Sequence, residues 1–148
     1  MERGRYLIAK FQVKMSQRHE KEIEDLWPMI KRTPSSGNKM EKGDLQSEET
    51  HGILFKVECK STQNSSYGIS KTVWNTIKSH AQNKSWLMRP ALCVRLYGPT
   101  TEMTEWGEVE RTPENLRVEQ DFVILDINDF LEMYEDYLRL LEKENASE

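Results

Sequence analysis

An acidic residue and a lysine stand two positions apart in the clearest strand-like segment of the sequence. Residues 53–60 begin with apolar side chains and then alternate, a pattern that predicts a β-strand. Because side chains alternate between the two faces of a strand, Glu58 and Lys60 are expected on the same face. A carboxylate that binds a divalent cation, beside an ammonium that orients a water molecule, suits phosphodiester hydrolysis. The same pair on a solvated strand face would have no catalytic role.

Two other acids are candidates for the same centre. Asp44 lies in a polar stretch upstream of the strand, where a second carboxylate could converge on the cation. Mg²⁺ prefers a few carboxylates together with water and phosphate oxygens. Glu20 belongs to the charged run of residues 20–25, where any acid can equally be a surface charge on a helix. The residues alone do not distinguish Glu20 from its neighbours.

The overall charge does not exclude DNA as a partner. The 148 residues carry a formal net charge of −4, but the acids are concentrated at the C-terminus: residues 126–148 hold eight acids against Arg139 and Lys143. Within residues 56–95, Glu58 is the only acid among seven lysines and arginines. Phosphate binding depends on this local field rather than on the total charge.

The composition, with 36% hydrophobic and 31% charged residues, indicates a globular domain with much polar surface. No signal peptide and no apolar run long enough for a membrane span are visible. Cys59 and Cys93 each lie in an apolar stretch, which favours buried thiols in a reducing compartment. The sequence therefore predicts a cytoplasmic or otherwise intracellular protein that does not contact a membrane.

The pattern of apolar residues predicts a single α/β domain over residues 1–148, with a mixed central sheet flanked by helices. The expected elements are a helix from Ser16 to Pro28, an extended piece at 29–32, strands at 53–60, 91–96 and 122–125, a helix at 70–82 and a C-terminal amphipathic helix capped by Asn128. Residues 5–14 leave a strand or an arm open, and residues 98–120 leave a loop or a hairpin open.

The segment from Ser16 to Leu96 resembles the core of the PD-(D/E)XK nuclease superfamily, and is most similar to archaeal-type and phage Holliday junction resolvases. The matching motifs occur in the family's order: Glu20-Lys21-Glu22-Ile23 in a helix, Arg32-Thr33-Pro34-Ser35-Ser36-Gly37, Asp44, and Glu58-Cys59-Lys60-Ser61 at the end of a strand. Gly43 stands before Asp44, where the family usually has proline. The nuclease core would span about residues 16–97, and residues 98–148 have no counterpart in the resemblance.

The resemblance implies a restriction-endonuclease-like fold and an Mg²⁺-dependent endonuclease, with Mn²⁺ as a possible substitute. Glu20, Asp44 and Glu58 would bind the metal, and Lys60 would act on the attacking water. The residues implied in DNA contact are Arg32, Ser35, Ser36, Gly37 and Ser61. The implied substrate is branched DNA, a four-way junction above all, cut symmetrically by a homodimer to leave 5′-phosphate and 3′-hydroxyl ends.

Two alternatives remain open at this point. The same fold could act on other DNA structures in replication or repair, because substrate choice depends on loops and dimer geometry. The chain could also be a catalytically silent DNA-binding scaffold. His19, His51 and His80 show no metal-binding spacing and are expected to be structural or exposed. For residues 98–148 we expect a packing or partner role, since an acidic helix is a poor ligand for DNA.

Overall fold

The computed structural model describes residues 2–33, 44–48 and 52–148. Its elements in chain order are α1 (Glu2–Leu26), β1 (Ile30–Arg32), β2 (Leu45–Ser47), β3 (Leu54–Thr62), α2 (Lys71–Lys84), β4 (Met88–Tyr97), β5 (Thr101–Thr104), β6 (Gly107–Glu110), a 3₁₀ turn (Pro113–Asn115), β7 (Val118–Leu125) and α3 (Ile127–Ala146).

Five of the strands form a mixed sheet in the order β1-β2-β3-β4-β7. The central strands β3 and β4 are parallel, and the other neighbours in this sheet pair antiparallel. Parallel strands need a crossover connection, which α2 supplies here. The predicted single α/β domain, with a mixed sheet flanked by helices, is confirmed.

Each face of the sheet is covered by one helix. The α1 face buries Phe55, Val57 and Cys59 of β3 together with Ile23 of α1. The opposite face packs Leu92 and Val94 of β4 against α2 through a second apolar cluster, whose buried helical member is Ile77. The period of two in β3 and β4 therefore divides their apolar side chains between two separate cores.

The first helix is longer than the sequence predicts. It begins at Glu2 rather than near Ser16, so residues 5–14 are neither a strand nor an extended arm. The apolar alternation there is misleading because most of this stretch lies beyond the packed domain; the first fully buried side chain of α1 is Met15. The stop at Pro28 is confirmed, since the helix ends at Leu26 and Met29 turns the chain with a positive φ of 60°.

The C-terminal third contains more structure than expected. Residues 98–120 include the β5–β6 hairpin, and β7 begins at Val118 rather than Phe122. The cap of α3 is Asp126, whose side chain accepts the backbone N–H of Asn128 at 2.8 Å, so Asn128 is not the cap. Cys59 and Cys93 are both buried, as predicted. None of the helices in the described residues is long and apolar enough to span a bilayer.

Candidate active site

Asp44 is fixed at the point where β2 begins beside β3. Its backbone N–H donates to the carbonyl of Val57 at 3.0 Å. Its side chain accepts the backbone N–H of Cys59 at 2.7 Å, which turns the carboxyl toward the second half of β3. β2 pairs with β3 only at Lys56 and Val57, so residues 58–62 have no strand on that side in the described part of the chain. Asp44 therefore occupies an open edge of the sheet.

Glu20 reaches the same edge from α1. The helix is anchored on the sheet by Ile23, one turn further along, and Glu20 is half-buried beneath it. The Glu20 carboxyl interacts with the side chain of Asp44, and the charges of Glu58 and Lys60 also act on its pKa. Asp44 feels the same two charges. The four residues predicted as catalytic thus interact electrostatically, although they span 40 positions of the sequence, from Glu20 to Lys60.

Glu58 and Lys60 share one face of β3, as the strand period predicts. Both line a cavity of about 390 Å³ between β3 and α2, together with Tyr67, Thr76 and His80. Glu58 is only 7% exposed, whereas Lys60 is open to solvent. The carboxylate is therefore held inside the domain, and the ammonium stands where a water molecule or a DNA phosphate can approach it.

Two acids of this group, Asp44 and Glu20, have raised pKa values. Burial raises the pKa of Asp44 from 3.8 to about 7, with repulsion from Glu58 and Glu20 adding to it and the Cys59 N–H opposing it. Burial also raises the pKa of Glu20, against the attraction of Arg32. Lys60 is the cation that acts on both acids, and its single charge does not offset the burial. A group of partly buried carboxyls with too little positive charge nearby favours the binding of a further cation.

His80 is a neighbour of this centre that the sequence did not reveal. Its Nδ1 is in contact with Oε1 of Glu58, and the imidazole is partly buried. The contact exists because α2 crosses the face of β3 that carries Glu58. Sequence spacing gives no sign of it, since 22 residues separate the pair. The useful signal is the helical position of His80, three residues after the buried Ile77 on the side that faces the sheet.

The donor chemistry fits a hard divalent cation, but the ligand set is not preassembled. Glu20, Asp44 and Glu58 offer carboxylate oxygens, the ligands that Mg²⁺ prefers. No three side chains among residues 2–33, 44–48 and 52–148 are already arranged around one point as metal ligands. Carboxylate oxygens are suitable ligands for such a cation, and its positive charge would offset the burial and the mutual repulsion of these carboxyls. These side chains would have to rearrange to close a coordination shell.

The residues predicted to contact DNA fall into three groups. Arg32 is exposed at the end of β1, and its charge lowers the pKa of Glu20. The backbone N–H of Arg32 donates to the Glu24 carboxylate at 2.8 Å. The Ser61 hydroxyl is buried, and it has no hydrogen-bond partner in the described chain. Ser35, Ser36 and Gly37 lie outside the described residues, as does His51. DNA contact by these residues remains a prediction.

A buried lysine fixes the chain next to the candidate site. Nζ of Lys56 donates to Oγ1 of Thr33 at 3.1 Å and to Oε1 of Gln46 at 2.8 Å. The backbone N–H of Thr33 in turn donates to the carbonyl of Asp44 at 2.9 Å. These bonds hold β1 and β2 in place, and thereby hold Arg32 and Asp44 at the same sheet edge as Glu20.

Comparison with known proteins adds no relative: the chain matches no protein-family description, no curated protein and no solved structure.

Proposed function

We propose that this chain is a divalent-cation-dependent endonuclease that hydrolyses phosphodiester bonds in branched DNA, with four-way junctions as the principal substrate. The observation that supports the proposal most strongly is the grouping of Glu20, Asp44, Glu58 and Lys60. They come from a helix, a sheet edge and a central strand. The Glu20 and Asp44 carboxyls nevertheless interact with each other, and both interact with Glu58 and Lys60. Three acids and one lysine are the set that the resemblance to PD-(D/E)XK nucleases requires.

In this proposal each side chain has a defined part. A bound Mg²⁺ supplies Lewis acidity at the phosphate and lowers the pKa of a bound water. Glu20, Asp44 and Glu58 hold the cation at the open edge of β3, where its charge offsets their mutual repulsion. Lys60 extends to solvent beside them, so that its ammonium orients the attacking water and stabilises negative charge on the phosphoryl oxygens. His80 fixes the orientation of the Glu58 carboxylate.

The charge distribution supports DNA as the substrate. The segment from β3 to β4 has Glu58 as its only acid, and Arg32 lies at the same sheet edge. The excess of acidic residues is on α3, a separate element beyond β7. Of the seven lysines and arginines in residues 56–95, Lys60, Lys71, Lys78 and Lys84 are exposed, on β3 and α2. These four attract a duplex backbone to the side of the sheet that carries Glu58. The choice of branched DNA rests on the resemblance to resolvases, and paired cuts across a junction require two copies related by a two-fold axis.

The experiment is cleavage of a labelled four-way junction and of its matched linear duplex with Mg²⁺, using the wild type and Lys60→Ala. Lys143→Ala removes an equal charge from the acidic helix α3 and is the control. We expect paired symmetric cuts in the junction that Lys60→Ala abolishes and Lys143→Ala retains. Equal cutting of both DNAs would replace the junction substrate by a broader nuclease. DNA binding without cleavage under Mg²⁺ or Mn²⁺ would contradict the enzyme and leave a DNA-binding scaffold.

A further inference from the structure

The C-terminal helix α3 presents a broad apolar face that its own domain does not cover. None of its residues is buried, and its large apolar side chains include Ile127 at 64%, Tyr137 at 55% and Leu140 at 60% exposure. These residues recur at the spacing of one helix face; its members are Ile127, Phe130, Leu131, Met133, Tyr134, Tyr137, Leu138, Leu140 and Leu141. A helix with this composition normally gains its stability by packing against another surface.

The ion pairs between α3 and its own domain in the described chain are found at the start of the helix, and Met133 lines an apolar pocket with Trp27, Val123 and Leu125. Arg89 of β4 pairs with Glu132 at 3.1 Å and with Asp129 at 3.6 Å. Both acids lie on the polar side of α3, so these pairs position the helix without burying its apolar face. Phe130 and Tyr134 stack on each other along the exposed face, with ring centroids 6.3 Å apart. Exposed aromatic side chains in a row are typical of protein interfaces.

The strand β7, which precedes α3 in the chain, has an unpaired edge of its own. It is the outer strand of the sheet and spans eight residues, and only β4 pairs with it in the described chain. Phe122 and Val123, on opposite faces of β7, are 45% and 54% exposed. The free side of an edge strand can pair with another strand, and residues 122–125 are the apolar half of β7. An antiparallel pairing of β7 with itself about a two-fold axis is self-complementary, because each chain offers the same edge.

The charges on α3 narrow the choice of partner. By helical position Asp129 and Asp136 border one side of the apolar face, and Glu135 and Glu142 border the other. Glu132, Arg139 and Lys143 lie on the opposite, polar side. Negative charge at the rim opposes docking on DNA phosphates or on an anionic lipid surface. The occupant of this face is therefore a protein surface that is itself apolar.

We propose that the apolar face of α3 and the edge of β7 form a two-fold interface with a second copy of this chain. The nine α3 side chains expose roughly 900 Å², as side chains of this size present about 150–250 Å² each when fully accessible. A standard protein interface buries about 800 Å² on each partner. The area therefore matches a stable dimer. This interface would join the two copies that the proposed junction cleavage requires, and in that respect it rests on the proposed function. The observations that support it concern α3 and β7 alone.

The first test is sedimentation equilibrium of the wild type, Leu138→Glu and Arg139→Gln. Both variants make α3 more negative by one charge, but only the first places it in the apolar face. We expect a wild-type dimer at about 10 μM or less. Leu138→Glu should raise the dissociation constant of the dimer by at least about 100-fold, because the buried charge occurs twice in the dimer, and Arg139→Gln should change it little. A monomeric wild type at about 100 μM, or a dimer unaffected by Leu138→Glu, would overturn the proposal.

A second measurement keeps the result clear if Leu138→Glu fails to fold. Cys59 and Cys93 are buried, so one cysteine introduced on α3 is the only exposed thiol. Under mild oxidation we expect Tyr134→Cys or Leu138→Cys to give a disulfide-linked dimer, and Arg139→Cys to remain unlinked. Linkage of Arg139→Cys alone would contradict the proposed face. A monomer that still cuts DNA rejects only the interface, whereas a dimer that cuts no DNA rejects only the nuclease.

Discussion

Replacing Asp44 with asparagine should stabilise the metal-free protein at pH 8 while abolishing cleavage. The pKa of Asp44 is raised from 3.8 to about 7 by burial and by repulsion from Glu58 and Glu20. Because the folded state holds this proton more tightly than the unfolded state, stability falls as pH rises from 3.8 to about 7. The penalty is then fully present at pH 8. Asparagine removes the charge and keeps an oxygen that can accept the Cys59 N–H.

The size of the effect follows from the shift. A pKa moved from 3.8 to about 7 corresponds to an upper limit of about 4 kcal/mol in the free energy of unfolding. Asp44 retains some contact with solvent, which lowers the expected gain to about 2 kcal/mol. Below pH 4 the two proteins should have nearly equal stability as far as this group is concerned, because Asp44 is then protonated in both states.

The assay is urea unfolding in EDTA at pH 8 and at pH 4, with Asp25→Asn as the matched control. Asp25 is an exposed acid whose ion pair in the described part of the chain is with Lys21 on the same helix, so its amide should change stability little at either pH. Adding Mg²⁺ at pH 8 should stabilise the wild type and Asp25→Asn but not Asp44→Asn. A less stable Asp44→Asn at pH 8 in EDTA, or equal stabilisation of all three by Mg²⁺, would refute this reasoning.

Three further predictions concern the surroundings of the centre. Burial, reinforced by Arg95, lowers the pKa of His19 to about 4, so His19 costs stability as the pH falls from 6.5 to about 4. On acidification to pH 4, His19→Leu should therefore lose about 3 kcal/mol less free energy of unfolding than the wild type, as measured by urea unfolding. Arg95 is 2% exposed and donates to Asp121 at 2.8 Å and Glu22 at 2.9 Å, so Arg95→Met should lower the free energy of unfolding by about 3 kcal/mol, and an unchanged urea midpoint would contradict that role. His80→Ala should raise the Mg²⁺ concentration for half-maximal cleavage about tenfold with a smaller change in the maximal rate, and His80→Gln should restore part of it; equal effects on both quantities would argue against positioning of Glu58.

Local sequence patterns predicted much of the central domain. The alternation in residues 53–60 placed Glu58 and Lys60 on one face. The predicted start of a helix at residue 70 is also close to the observed one, since Ser70 caps α2 by accepting the N–H of Val73 at 3.1 Å. Pro28 ends α1 for a purely local reason, because it cannot continue the hydrogen-bond pattern of the helix. Such features depend on a few adjacent residues, so the sequence contains all the information they need.

Features that depend on distant parts of the chain were predicted less well. The contact between Glu58 and His80 requires α2 to cross β3, and the bond from Cys59 to Asp44 requires β2 to stop where it does. Neither distance can be read from spacing. The early start of α1 was missed because helix propensity extends it beyond the domain, where no burial pattern marks the residues. Assigning Glu20 among its acidic neighbours required the family resemblance.

Glu20 of α1, Asp44 beside β2, and Glu58 and Lys60 of β3 are proposed to act as one catalytic centre. The most direct test is a double-mutant cycle on the single-turnover rate of junction cleavage, with Glu20→Gln in α1, Lys60→Ala in β3 and the double variant. Residues that serve one centre are strongly non-additive, so we expect the double variant to cut about as slowly as the slower single variant. A double variant whose loss equals the product of the two single losses would mean that Glu20 and Lys60 act independently, and would contradict the account.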